Sequence, residues 1–335
     1  MTNIFQSKNI LVTGGTGSIG SEIVRKVLQS EPKVVRVLSN DENGLFNLEQ
    51  ELQKYSNLRF LAGDVRDKER LQRAMENIDF VFHAAALKHV PLCEYNPFEA
   101  VKTNVLGTQN VIDAAMQEEV EKLIMISTDK AVSPANVMGA TKLLAERLTI
   151  SANYYKGFKK TAFSCVRFGN VLDSRGSVVP LFREQIKNGG PVTITDPDMT
   201  RFVMSIPRAI DLVLKSAGIA QGGEIFIFKM PAVRIGDLAR VMIDELAPKY
   251  GYDPKIFQIR ITGRRPAEKN HEELMTHDEV SRACETEEMF IVWPDAQQAS
   301  LTNHKALAKP YDSAAQPLLS PNEIHSILKE MFQKH

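Results

Sequence analysis

Thr128-Asp129-Lys130 puts a hydroxyl, a carboxylate and an ammonium on consecutive residues, and Lys142 follows within the same region. A carboxylic acid beside an amine can give a proton to one end of a bond and take one from the other, which is what an elimination needs. The amine must be neutral to act as a base. That asks for partial burial or a cationic neighbour, and Lys142 is a candidate neighbour. The alternative for Asp129 and Lys130 is an ion pair at a strand end, and for Lys142 a solvated helix lysine. Between them stands Met138, a thioether that neither takes nor gives a proton. Upstream, Gly15-x-Gly17-x-x-Gly20 lies within Thr13-Gly14-Gly15-Thr16-Gly17-Ser18-Ile19-Gly20. Glycines let backbone approach a pyrophosphate, and the helix that follows offers unpaired N–H groups to it.

These residues need a scaffold, and the apolar runs supply one. Short apolar stretches alternate with amphipathic ones over the first two-thirds of the chain, which predicts an α/β fold: a Rossmann-type doubly wound parallel sheet. The expected strands are 9–13, 34–38, 58–62, 80–84, 123–127 and 162–167. Ser18 to Ser30 reads as a helix with Ile19, Ile23, Val24 and Val27 on one face. A helix over about 104–118 would open with Thr103-Asn104 as its N-cap. The glycine loop therefore joins the first strand to the first helix, the context that dinucleotide binding requires. Asp129 and Lys130 fall at the C-terminal edge of a strand, where open α/β sheets hold ligands.

After about residue 170 Pro and Gly become frequent and the elements shorten. Residues 1–170 read as a dinucleotide-binding domain to which 200–228 returns, through a strand near 222–228. Residues 171–335 read as mainly a smaller substrate-binding region, with a helix at 234–245. Ser320-Pro321-Asn322-Glu323 is a capping box that starts a last helix running to about Phe332.

The chain has 335 residues and formal net charge zero, so nothing points to nucleic acid or an anionic membrane as partner. No apolar run reaches the ~20 residues of a membrane helix. Cys93, Cys165 and Cys284 form neither a metal spacing nor a disulfide framework, and His83 and His89 have no metal-ligand partners. A reducing, cytoplasmic setting is the expectation. At the end of the second strand, neutral Ser39 and Asn40 occupy the place where a carboxylate would bind a ribose 2′-hydroxyl. This favours NADP, with NAD also compatible.

Several segments extend the pattern: His83 to Pro91, Thr103-Asn104-Val105-x-Gly107-Thr108, Ser127 to Ala131, Arg167-Phe168-Gly169-Asn170-Val171, Met199-Thr200-Arg201-Phe202 and Arg265-Pro266-Ala267-Glu268-Lys269. Together they resemble the inverting UDP-N-acetylglucosamine 4,6-dehydratases, in the polysaccharide-biosynthesis branch of the extended short-chain dehydrogenase/reductases. The resemblance covers residues 8 to about 295. It implies a bound nicotinamide that oxidises sugar C4, loss of water across C5 and C6, return of the hydride to C6, and reprotonation of C5 on the opposite face. The product would be a UDP-4-keto-6-deoxy sugar. The resemblance gives Thr128 the C4 oxygen, Asp129 the departing C6 hydroxyl, Lys130 the C5 proton and Lys142 the nicotinamide ribose. Asp64 would contact the adenine. The other cofactor contacts would be Thr13, Gly14, Gly15, Gly17, Ser18, Ile19, Gly20, Ser39, Asn40, Val65, Ala84, Ala85, Ala86 and Asn104. Lys88 is expected near the sugar, Asn170, Arg201 and Arg265 at the UDP diphosphate, and Arg175 and Glu268 close by. A homo-oligomer is implied as well.

Met138 departs from the Tyr-x-x-x-Lys pattern of the wider group, which leaves the C4 base open between Thr128 acting through a water and Lys130 acting twice. Met138 itself reads as an apolar contact to sugar or nicotinamide. Two other functions remain: a nucleotide-sugar 4-epimerase, which would use the missing tyrosine and no elimination pair, and a non-catalytic dinucleotide-binding sensor.

Overall fold

The structure is a computed structural model that describes residues 3–295, 305–306 and 309–332. The first half alternates strand and helix: β1 (Asn9–Thr13), α1 (Ser18–Leu28), β2 (Val34–Ser39), α2 (Glu42–Glu51), β3 (Leu58–Ala62), α3 (Lys68–Met75), β4 (Phe80–His83), α4 (Val90–Tyr95), α5 (Pro97–Ala100), α6 (Gly107–Gln117), β5 (Lys122–Ile126), α7 (Val137–Tyr155) and β6 (Ala162–Arg167). Shorter pieces follow: β7 (Asn170–Val171), α8 (Val178–Lys187), β8 (Val192–Ile194), β9 (Thr200–Met204), α9 (Ile206–Ile219), β10 (Ile225–Phe228), β11 (Ala232–Arg234), α10 (Ile235–Leu246), β12 (Ile259–Ile261) and β13 (Glu273–Met275). The chain ends with α11 (His277–Val280), β14 (Ala283–Glu285), β15 (Met289–Val292), β16 (Lys305–Ala306), β17 (Tyr311–Asp312) and α12 (Pro321–Phe332).

One large sheet has the order β16-β14-β15-β10-β6-β5-β4-β1-β2-β3. From β3 to β10 all neighbours are parallel, and β15, β14 and β16 add an antiparallel edge. This is the Rossmann-type doubly wound arrangement. The order reverses between β1 and β4, so a crevice opens at their C-terminal ends. β4, β6 and β10 are buried along their whole length, as strands covered on both faces must be. α1 buries Ile23, Val24 and Val27 against the sheet, the face read from spacing.

The helix expected to begin at Thr103-Asn104 begins earlier. Pro97 opens α5, and the backbone passes through a π-helical stretch, Val101–Leu106, straight into α6. A cap residue must precede helical backbone, and Asn104 sits inside it. Its buried side chain accepts from Leu87 N and donates to Leu87 O and Thr141 Oγ1, at 2.8, 3.0 and 3.0 Å.

A second core lies beyond residue 170, where Val179 and Phe182 of α8, Leu238 and Met242 of α10, and Ile324 and Leu328 of α12 pack together. Ser320 starts α12 as a capping box with Glu323, whose Oε2 accepts from Ser320 N at 2.8 Å. β10 rejoins the large sheet beside β6, while β9 instead pairs with β7 and β11 in a small sheet. Residues 283–292 also return to the large sheet, which the sequence reading had placed in the substrate region. Residues 1–2 and 333–335, at the ends of the two expected regions, lie outside the described residues.

Candidate active site

The glycine loop between β1 and α1 walls a cleft of about 330 Å³, bordered also by the ends of β2, β3 and β4 and by Glu99 and Thr103. Gly14 has φ +65°, and a Cβ there would lie 2.6 Å from Ala85 N, so no other residue lets the loop approach β4 this closely. α1 has no side-chain cap at Gly17, which leaves its first N–H groups for a ligand. Gly14, Gly17, Ser39, Asn40, Asp64, Val65 and Ala84 to Ala86 line the cavity. An uncapped helix end behind a glycine loop fits a dinucleotide pyrophosphate.

Other expected contacts shape the walls instead. Thr13 is buried, with its hydroxyl 2.7 Å from His83 Nδ1. Thr108 Oγ1 donates to Asn104 O, so it accepts from His83 Nε2, and Thr13 must donate to Nδ1. Burial, with the charge of Lys142 adding to it, lowers the His83 pKa to about 3 and keeps the ring neutral. Gly15 and Gly20 are close-packed against Val37 and Gly14. Asn104 holds Leu87, and Ser18 accepts from Arg175 N at 2.9 Å. The Asp64 carboxylate is saturated: it accepts from Arg66 at 2.8 Å and from Asn40 at 3.1 Å, and Arg66 holds its pKa below the usual range. Arg66 itself, which the sequence reading missed, lines the same cavity and also pairs with Glu99.

A second cavity, about 390 Å³, continues past Ala84 and Ala86 to Ile19, Lys88, Ser127, Thr128, Met138 and Lys142. A third, about 650 Å³, is bounded by Asn136, Arg201, Arg265, Glu268 and Glu272. Lys130 and Asn170 line both. α7 brings Met138 and Lys142 here because Asn136 caps it, accepting from Gly139 N at 2.8 Å. A side chain at Gly139 would collide with Lys130 O, so glycine lets the helix press on the loop after β5.

Lys130 Nζ lies 2.9 Å from Asp129 Oδ1 and 3.5 Å from Glu272 Oε1, with its side chain a quarter exposed. Burial works against its charge, yet Asp129 and Glu272 outweigh it and raise its pKa above the usual lysine value. This corrects two expectations. Lys130 rests as an ammonium, and the cation that bears on it is Arg201, not Lys142. Lys142 Nζ instead donates to Ile126 O at 2.5 Å, and burial lowers its pKa to about 8 against the pull of Glu146. Asp129 is wholly buried and lines neither cavity. Thr128 stands between it and the open space, donating to Asp129 Oδ1 at 2.8 Å. Asp129 is thus linked to the cavity by a hydrogen bond through the Thr128 hydroxyl. Met138 is buried against Cys93 and Ala100 with one side on the second cavity.

Arg201 faces the third cavity, but its guanidinium is largely spent on the Thr200, Lys269 and Asn270 carbonyls. Arg265 is exposed at the mouth, and Glu268 accepts from its N–H at 3.1 Å. Arg175, expected at the substrate, is drawn to the glycine loop, where its guanidinium donates to Thr16 O while its own carbonyl accepts from Lys88. Glu272 was missed. It sits in a polar run without periodicity, and only the fold brings it to Lys130. Among the described residues no cluster of metal-ligating side chains exists.

Comparison with known proteins gives the family and agrees with the fold. Residues 10–294 match a family described as polysaccharide biosynthesis protein. The chain is 62% identical over 331 residues to the "uncharacterized membrane protein MJ1061" of Methanocaldococcus jannaschii, covering 99% of this chain and 98% of that one. Among the described residues here, no helix is long and apolar enough to cross a membrane. It is 43% identical to a UDP-N-acetylglucosamine 4,6-dehydratase (inverting) of Campylobacter jejuni, over 87% of this chain and 84% of the relative. It is 38% identical to a UDP-glucose 4-epimerase of Rickettsia rickettsii, over 97% and 96%. The X-ray structure of Pen from Bacillus thuringiensis superposes with a TM-score of 0.92 at 48% identity, covering 97% of this chain and 98% of that chain.

Proposed function

The chain belongs to the polysaccharide biosynthesis protein family, and from that premise we propose that it is a nucleotide-sugar 4,6-dehydratase that inverts C5, acting on UDP-N-acetylglucosamine. One observation carries the reading: Lys130 stands at the junction of the cofactor-side and sugar-side cavities, joined to Asp129 and backed by Thr128. The similarity to the inverting dehydratase of Campylobacter jejuni supports the same choice.

When bound, a nicotinamide dinucleotide supplies the hydride acceptor for C4 and the hydride donor for C6. Gly14, Gly17 and the first turn of α1 would hold its pyrophosphate, and Lys142 its ribose. Ser39 and Asn40, with cationic Arg66 on the same cavity, favour NADP over NAD. Thr128 accepts the C4 hydroxyl proton while its own proton passes to Asp129, a route that needs no tyrosine. Asp129 returns that proton through Thr128 to the C6 oxygen, which leaves as water. Lys130 takes the C5 proton, and it does so only as the free amine. Reprotonation of C5 from the other face completes the inversion. Asn170, Arg201 and Arg265 lie where the nucleotide diphosphate would end. Exposed Leu92, Phe98 and Leu106 on and beside α4–α6 support a homo-oligomer.

The similarity to UDP-glucose 4-epimerase favours the second reading. Incubation with UDP-N-acetylglucosamine in heavy water separates the two. Loss of one water with deuterium at C5 is expected; a C4 epimer of unchanged mass would leave only the epimerase.

A further inference from the structure

Between β7 and α8 the chain turns at Asp173 and Gly176, with φ +62° and +72°, and this short strap crosses to the glycine loop. Arg175 is its point of contact. Its N–H donates to Ser18 Oγ at 2.9 Å, at the start of α1, and its carbonyl accepts from Lys88 Nζ at 2.6 Å. The backbone is therefore pinned from both sides, whatever the side chain does. Gly176 packs on His89, where a Cβ would lie 2.3 Å from ring atom Cε1. Ser174, Gly176, Ser177 and Val178 then line the second cavity. The Arg175 guanidinium reaches the glycine loop itself, where it donates to Thr16 O.

A diphosphate held at this loop needs counter-charge, and unpaired N–H groups supply only part of it. The loop from Thr13 to Gly20 contains no basic residue, and Arg25 and Lys26 sit in the last turn of α1, away from its start. Arg66 lines the cleft but is committed to Asp64 and Glu99. Lys142 is bonded to Ile126 O. Arg175 differs from these: its guanidinium rests on a neutral carbonyl next to Gly17. It also stands close enough to Lys88 to add to the lowering of that lysine's pKa by burial. Two cations placed together gain when an anion binds beside them. A planar fork of donors can hold two phosphate oxygens at once. We infer that Arg175 is a ligand of the dinucleotide diphosphate, delivered across the glycine loop by the strap, and not a ligand of the sugar nucleotide. On binding, the guanidinium exchanges Thr16 O for phosphate oxygens, while Ser18 and Lys88 keep the strap in place.

This inference rests on the dinucleotide reading of the cleft, and the test tells the two apart. The full-length chain, freed of nucleotide carried through purification, is titrated with NADPH and with NADH by nicotinamide fluorescence, and with UDP by calorimetry. Arg175→Gln should weaken both dinucleotides by the same factor, about 10–100-fold, the range for losing a hydrogen-bonded charge pair. Arg175→Lys, which keeps the charge without the fork, should fall between, and it stands in if the amide variant does not fold. The loss should shrink at high salt, because the residue is exposed. UDP affinity should be unchanged. Unaltered dinucleotide binding overturns the inference, and so does a loss that is equal at every salt concentration, which marks a structural role. Weakening of NADPH alone would move Arg175 to the 2′-phosphate, and weakening of UDP alone would return it to the sugar nucleotide; either overturns the inference. If the wild type binds neither dinucleotide, the cofactor reading fails and the inference with it; if it binds both and Arg175→Gln matches it, the inference alone fails.

Discussion

The Thr128 hydroxyl donates to Asp129 and borders the cavity, so its removal should break the proton route without disturbing the ion pair behind it. Thr128→Val is expected to lower kcat by a factor on the order of 10²–10³, while Thr128→Ser, which keeps the hydroxyl, should stay within about tenfold of wild type in steady-state assays. A valine variant as fast as wild type would return the C4 proton to Lys130. His83 gives a second test. Its folded pKa of about 3 lies below the unfolded value, so between about pH 6.5 and 3 the unfolded chain binds a proton that the fold refuses. Stability should therefore decline as pH falls through that window. Denaturant titrations of His83→Gln should show a flatter acid limb, and an unaltered slope would mean that other groups carry it. The residues proposed to react were legible as a candidate set, because hydroxyl, acid and amine sit side by side in the sequence. Their protonation was not, since the carboxylate that raises Lys130 together with Asp129 comes from position 272.

Among the elements, β6, α7 and α11 are joined by a buried charge cluster. The Arg167 guanidinium lies 2.7 Å from Glu146 and 3.0 Å from Glu279, and all three side chains are almost wholly buried. Burial opposes the Arg167 charge, but the two carboxylates outweigh it and hold the group protonated. Arg167→Met would strand two acids in the core and should cost about 3–5 kcal/mol by chemical denaturation, and replacing all three by apolar residues should recover most of it. A single variant as stable as wild type would show that water reaches the cluster. Strands were the most legible elements: β6 falls where its apolar run lies, because a strand buried on both faces leaves no other reading, and β3 keeps its expected bounds although it is the half-exposed edge of the sheet. The start of the helix expected over about 104–118 was misread, since Thr103-Asn104 has the composition of a cap but Pro97 had already set the helix in motion.

For the whole molecule, a second core lies beyond residue 170, and it depends on α12. Leu328 is 1% exposed within it, so Leu328→Ala should destabilise by about 2–5 kcal/mol. The loss should weaken binding of the sugar nucleotide more than that of the dinucleotide, measured by calorimetry on the same preparation; equal weakening would mean that the cores do not divide the ligands. The parallel sheet was foreseeable from alternation alone. The second return of the chain to it was not, because β14 and β15 are short and follow a polar stretch. That return also matters during synthesis. The N-terminal half leaves the ribosome first, but Arg167 meets Glu279 only after 112 more residues have been made. Until then the guanidinium has Glu146 but not its second acid, and a nascent chain halted near residue 200 would hold the glycine loop without the finished cavities beside it.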